Sequence, residues 1–242
     1  MVWVELAYYT SRLGGYMQHP TQQHMDAATW CMGYLFHHPE KSITYGGKLK
    51  ILYGLSAMPE HFVESRGLYS PADSSWNTQT RPHGGHAVFR MNGAIHWSAK
   101  ALKVITDSTA HAETAEASRA TKSTSFFRMA LQGVGRPVVG PTCILGDNKA
   151  TLELVAKEGT SSKSRHFERA TIFVKWAVMK LMIAYQLVFT KFMVADIFTK
   201  ATDEATFKKM RSVLRNESAE PVTARKLIQR MACQLMTVFK KS

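Results

Sequence analysis

Apolar residues along the chain switch between helical and strand-like spacing, and the switches mark out its elements. Val4, Leu6, Ala7 and Leu13 give a first helix one apolar face. His19-Pro20-Thr21 breaks it, and Thr21 is placed to cap a second helix ending near residue 36. That helix carries Met25, Ala28, Trp30, Cys31, Met32, Tyr34 and Leu35, a stripe that reads as a packing face. Short strand-like pieces around Gly46-Gly47 and Gly54 predict a hairpin or linker over 40–66. A first strand is predicted over 64–70, followed by a polar loop at 77–85. His86 to Met91 then alternates as a strand, Asn92-Gly93 supplies a two-residue turn, and Ala94 to Trp97 returns. Asp107 or Ser108 caps a long helix that runs to about Leu131. Beyond it the pattern predicts a strand at 142–146, helices at 148–157 and 166–182, a strand at 184–190 and a short helix near 193–199. Periodicity by itself supports a mixed α/β class.

Composition narrows the partner. The 242 residues suffice for one large or two small domains, and 45% apolar content is globular. A formal net charge of +13, spread along most of the sequence, favours a polyanion, with nucleic acid the leading candidate. Cys31, Cys143 and Cys233 are far apart and form no Cys-x-x-Cys, so neither a disulfide framework nor a zinc knuckle is supported. That usage, with no recognisable signal peptide, predicts an intracellular protein, in a cytoplasmic particle or the nucleus rather than secreted. No run of about 18 apolar residues exists, so no membrane partner is expected. The histidine pairs His19/His24, His37/His38 and His83/His86 read as structural or surface groups, because nothing completes a four-ligand set at zinc-finger spacing.

The chemistry-bearing stretch is Leu145-Gly146-Asp147-Asn148-Lys149-Ala150. It puts a carboxylate where a strand gives way to a helix, the end of an α/β sheet at which ligands bind. Three other pieces can be arranged around it. Ser108-Thr109-Ala110-His111-Ala112-Glu113 places Glu113 inside the long helix, one turn from Glu116. Val194-Ala195-Asp196-Ile197-Phe198-Thr199-Lys200 follows the last strand, and Leu68-Tyr69-Ser70-Pro71-Ala72-Asp73 ends the first. In order and spacing these pieces resemble the ribonuclease H domain of copia-type retrotransposon polyproteins, with Ala195 to Lys200 intact as Ala-Asp-Ile-Phe-Thr-Lys. Tyr9 to Leu13 and Tyr16 to His24 are similar to the segment that closes the reverse transcriptase region of those polyproteins. The polymerase's Tyr-x-Asp-Asp motif is absent from the chain.

The resemblance implies a ribonuclease H-like five-stranded mixed sheet flanked by helices (α+β), with a small N-terminal helical segment. It divides the chain into a reverse-transcriptase remnant at 1–45, a linker or hairpin at 46–63, the ribonuclease H-like domain at 64–200 and a basic helical tail at 201–242. Residues 217–242 lie beyond the resemblance. There Leu227, Ile228, Met231, Leu235 and Met236 share one helical face beside five basic residues, which fits either an anion-binding helix or a solvated tail. The resemblance also implies Mg²⁺ or Mn²⁺ bound by Glu113, Asp147 and Asp196, an RNA–DNA hybrid as substrate, and the rest of a polyprotein as partner. The family's first acid aligns with Pro71, which has no ligand oxygen; Asp73 points to the same side of the strand, about 6–7 Å further along. Further departures are His111 for Glu, Thr114 for Tyr, Met25 for Trp, and Lys191-Phe192-Met193 for a polar loop. Three readings are therefore expected to compete: two-metal hydrolysis impaired by Pro71, with Asp73 as the substitute acid; a catalytically inactive nucleic-acid binder; and a structural remnant of the polyprotein.

Overall fold

The computed structural model describes residues 3–47, 67–75, 81–103, 108–156 and 168–217. Five strands, Tyr69–Ser75 (β1), His83–Arg90 (β2), Gly93–Ala101 (β3), Thr142–Gly146 (β4) and Ile183–Leu187 (β5), form one sheet in the order β3-β2-β1-β4-β5. The first three form an antiparallel meander, and β4 and β5 continue it in parallel with β1. This is the five-stranded mixed sheet flanked by helices that the resemblance implies. The helices are Ala7–Gly14 (α1), Gln22–His37 (α2), Thr109–Gly133 (α3), Lys149–Ala156 (α4), Glu168–Met179 (α5) and Glu204–Arg215 (α6), with short 3₁₀ turns at Val4–Leu6, Thr190–Phe192 and Val194–Phe198.

Alternation along β4 sorts the core. Ile144 packs with Ala117 and Ala120 of α3 and with Val174 and Ala177 of α5. Cys143 and Leu145, one residue to either side, join Phe89, Phe198, Phe207 and Leu214. Val4 belongs to this second cluster too, so the N-terminal segment shares a core with β2 and α6. Glu5 and Arg215 make a fully buried bidentate pair at 2.8–3.1 Å, and Arg215 lies over the Trp3 ring. The predicted 46–63 segment lies outside the described residues apart from Gly46 and Gly47, and the tail outside them beyond residue 217.

Several sequence expectations shift. Residues 64–66 of the predicted 64–70 strand lie outside the described residues; the described strand, Tyr69–Ser75, runs on past residue 70, even though Pro71 falls inside it between two neighbours. A proline reads against a central strand because it lacks the N–H that a neighbour's carbonyl needs. The β1–β2 pairing passes over Ser70 and Pro71, and the carbonyl opposite Pro71 in register is that of Ala87. Ser70 Oγ donates to that carbonyl at 2.6 Å, supplying the missing hydrogen. In the hairpin, the turn is Met91-Asn92, with φ 49° and 68°, rather than Asn92-Gly93. Two positive φ values give the type I′ geometry that matches strand twist. Gly93 instead opens β3, where an added Cβ would sit 2.7 Å from the Tyr45 ring and 2.9 Å from the Thr44 carbonyl. Gly93→Ala should therefore destabilise the protein by about 1–3 kcal/mol in urea unfolding.

On α2 the packing stripe is narrower than expected. Thr21 caps it through a box with His24, but only Cys31 is buried, while Met25, Trp30 and Met32 are exposed. The remaining boundaries moved by a few residues: β2 begins at His83, β3 extends to Ala101, α5 ends at Met179, and β5 stops at Leu187. The final short helix is a 3₁₀ turn, Val194–Phe198.

Candidate metal centre

β1 and β4 run in parallel with Pro71 opposite Leu145. Two residues further on in each strand, the same register brings Asp73 level with Asp147. The N-terminal turns of α3, capped by Ser108, deliver Glu113 to the same strand ends. Carboxylate oxygens of Asp73, Glu113 and Asp147 lie within 4.8 Å of one another. The 6–7 Å offset that separates Asp73 from the aligned acid position is thus matched by an equal advance of Asp147 beyond Leu145. Pro71 lies one pleat earlier, within the paired strand.

Asp196 lies beside this trio rather than within it. Its side chain hydrogen-bonds that of Asp73, and its Oδ2 accepts from Lys200 Nζ at 2.8 Å. Its Oδ1 is buried, with no hydrogen-bond partner among the described residues. Neighbouring groups hold the acids in place. Thr199 Oγ1 donates to Asp73 Oδ2 at 2.8 Å, Asn148 Nδ2 to Glu113 Oε1 at 3.1 Å, and Thr151 Oγ1 to Glu113 Oε2 at 3.4 Å.

Burial dominates the electrostatics. It pushes the Glu113 carboxyl up to about 8, and the Asp73 and Asp147 charges add to the rise against the hydrogen bonds from Asn148 and Thr151. Asp196 is pushed up to about 7, mainly by burial and then by Asp73, with Lys200 opposing. Asp147 rises for the same first reason. Buried acids that repel one another need a positive charge, and hard carboxylate oxygens suit a divalent cation. The three clustered donors and the orphaned Asp196 oxygen fit such an ion.

Against known proteins, the chain is 25% identical over 207 residues to the retrovirus-related Pol polyprotein from transposon RE2 of Arabidopsis thaliana, a match covering 84% of this chain and 13% of that protein. It is 23% identical over 211 residues to the corresponding polyprotein from transposon RE1, covering 86% and 13%. The chain is thus similar, along most of its length, to a short part of retrovirus-related Pol polyproteins from plant transposons. It spans 13% of the length of these curated relatives. No family model matches it. Among solved structures, the N-terminal RNase H domain of rv2228c from Mycobacterium tuberculosis has 12% identity and a TM-score of 0.42, covering 63% of this chain and 98% of that one. RNase H1 of Halobacterium salinarum has 11% identity and a TM-score of 0.37, covering 62% and 96%.

Of the acids named from sequence, Asp73, Glu113 and Asp147 are brought together, and Asp196 lies beside Asp73. Sequence reasoning passed over the groups that hold them. Asn148 adjoins Asp147, and Thr199 and Lys200 are the last two residues of the intact Ala195–Lys200 string, so each stood within four residues of a named acid. Among the described residues, no helix is long and apolar enough to cross a membrane.

The raised acids predict a pH dependence of stability. Where the folded carboxyl titrates above its unfolded value, the native state holds the extra proton between the two. Stability of the metal-free protein then falls as pH rises from about 4.5 to about 8 for Glu113 and from about 4 to about 7 for Asp196. Thermal unfolding in EDTA should show a melting temperature that drops across this window. Glu113→Gln should flatten the drop, and millimolar Mg²⁺ should raise the melting temperature most at its upper end. An unchanged profile in Glu113→Gln would remove Glu113 as the group responsible.

Proposed function

We propose that this chain is the ribonuclease H-like part of a retrotransposon Pol polyprotein and hydrolyses the RNA strand of RNA–DNA hybrids with Mg²⁺ or Mn²⁺. The observation that carries this reading is the meeting of the Asp73, Glu113 and Asp147 carboxylates at the carboxyl ends of two parallel strands.

Divalent ions held there supply an activated water and a stabilised leaving oxygen for in-line displacement at phosphorus. Asp73, Glu113 and Asp147 would hold them, with Asp196 alongside. Glu113 must first give up the proton that burial keeps on it, and the hydrogen bonds from Asn148 and Thr151 then orient its ionised form. Thr199 fixes the rotamer of Asp73, and Lys200 balances the charge of Asp196. Because Glu113 and Asp196 must be ionised to bind the ion, activity should rise with pH through about 7–8. An RNA strand is told from DNA by contact with its 2′-hydroxyls.

The catalytically inactive nucleic-acid binder remains the second reading. It is favoured by Pro71 at the aligned first-acid position and by the Lys200 ammonium already paired with Asp196. A labelled hybrid incubated with the purified chain and Mg²⁺, Mn²⁺ or EDTA separates the two. Metal-dependent cutting of the RNA strand supports hydrolysis. Hybrid binding without cutting under both metals assigns the chain to the second reading.

A further inference from the structure

Away from the carboxylates, positive charge gathers in one place. A cleft of about 560 Å³ runs over α3 between the end of β3 and the start of α5. Lys100 and Lys103 line it from β3 and the residues after it, Arg119 and Lys122 from α3, and Arg169 from α5; no carboxylate lines it among the described residues. Four of these cations are exposed, and among the described residues none of those four is in an ion pair. Arg119 is half-buried and fixed, donating through Nη1 to Glu116 and through Nη2 to Ser98 at 3.0 Å. The opposing Glu116 charge is fully buried beneath it and also hydrogen-bonded to His86, so it does not reach the cleft surface as a free anion. A second cleft of about 680 Å³ shares Lys100, Arg119 and Lys122 and carries the trough on to Trp3, Thr10 and Ser11 in the N-terminal segment.

Helix α3 ties this trough to the acidic centre. Arg119 and Lys122 lie six and nine residues beyond Glu113, about 9 and 13 Å along the axis and about 120° and 180° around it. The axial offset is roughly three to four base-pair steps, so a duplex that reaches both ends also passes around the helix. Convergent cations, with no carboxylate among the described residues that line their cleft, fit a polyphosphate strand better than a small ligand, which needs an enclosed and mostly apolar pocket.

We propose that the Lys100–Lys103–Arg119–Lys122–Arg169 trough holds the phosphate backbone of the nucleic-acid duplex whose RNA strand lies at the acidic centre, and that the N-terminal helical segment extends this track. The proposal rests on the hydrolytic reading above for what lies at the acidic end, and its test separates the two. Binding of a labelled 20-base-pair RNA–DNA hybrid to the full chain is measured by fluorescence anisotropy in EDTA, between 50 and 200 mM salt. Lys100→Glu/Lys122→Glu should weaken binding by about tenfold or more and lower the logarithmic salt slope by about 2. Lys180→Glu/Lys208→Glu changes net charge equally at exposed positions outside the trough and should change affinity by less than about threefold. Lys100→Gln/Lys122→Gln, a milder change, should fall between wild type and the Glu pair, with melting temperatures unaltered.

Equal weakening by trough and control pairs would overturn the proposal, leaving only general charge attraction. So would a trough pair that binds like wild type. Cleavage in Mg²⁺ is read separately: the trough pair should raise KM and spare kcat at saturating hybrid. If the wild-type chain binds through the trough but cuts nothing, the trough stands and the hydrolytic reading falls. If the wild type cuts and the trough variants bind normally, the trough falls and the hydrolytic reading stands.

Discussion

Asp73→Asn is expected to lower metal-dependent hybrid cleavage on the order of 10²- to 10³-fold, the loss seen when one preorganised charge-stabilising group is removed from an active site. Pro71→Asp is expected to change it by less than about threefold. The two positions differ by one pleat, about 6.6 Å of strand. Asp73 is level with Asp147 and within 4.8 Å of the other carboxylates, and Thr199 donates to it. Position 71 pairs with Leu145 inside the sheet and is buried, so a carboxylate there would be a desolvated charge set back from the ion. Isothermal titration with Mg²⁺ provides a readout that does not depend on turnover: Asp73→Asn should weaken binding, and Pro71→Asp should leave it near wild type. A large gain from Pro71→Asp would mean that the aligned position, not Asp73, is where the ion needs its ligand. Asp147→Asn should match Asp73→Asn in both measurements, because the two side chains reach the same point from adjacent strands.

Three of the four named acids were legible in local patterns: an apolar run ending in Asp147, a capped helix carrying Glu113, and an intact string holding Asp196; the sheet order came from the resemblance, since periodicity supports only a mixed α/β class. What was not legible depended on register. Nothing in Tyr69-Ser70-Pro71-Ala72-Asp73 tells how far β4 advances past Leu145, so the offset of Asp73 looked like a defect until both strands were placed. Pro71 ended the predicted strand early because the Ser70 hydroxyl that serves the Ala87 carbonyl is a contact across 17 residues. The hairpin slipped by one residue because Asn-Gly is a strong turn signal, whereas Gly93 is required by the Tyr45 ring lying against it. The trough was hidden for a similar reason. Its cations come from β3, α3 and α5, and in sequence they are indistinguishable from the other basic residues behind the net charge of +13.

Glu5→Ala should be among the most damaging single changes to stability, on the order of 3–5 kcal/mol, because it leaves a buried guanidinium without its partner. For a chain of this size that amounts to a fall in melting temperature of roughly 10 °C. Both members of the Glu5–Arg215 pair are fully buried, four contacts lie between 2.8 and 3.1 Å, and Tyr34 donates a further hydrogen bond to Glu5 at 2.9 Å. The pair joins the first described turn of the chain to the last described helix, 210 residues apart. Around it Val4, Phe207 and Leu214 share one apolar cluster, and the Thr44 N–H donates to the Arg215 carbonyl at 2.9 Å. The N-terminal segment therefore shares a core with β2 and α6. Arg215→Ala should cost less than Glu5→Ala, since Tyr34 still satisfies part of the stranded carboxylate and protonation can neutralise it. Glu5→Leu/Arg215→Met should recover most of the loss, because a buried pair replaced by apolar groups of similar volume gives up little net energy. Urea unfolding of the four proteins checks the order. If Glu5→Ala unfolds within about 1 kcal/mol of wild type, the N-terminal segment is not bound to the core through this pair. Its place beside the trough would then have to rest on the Val4 packing alone.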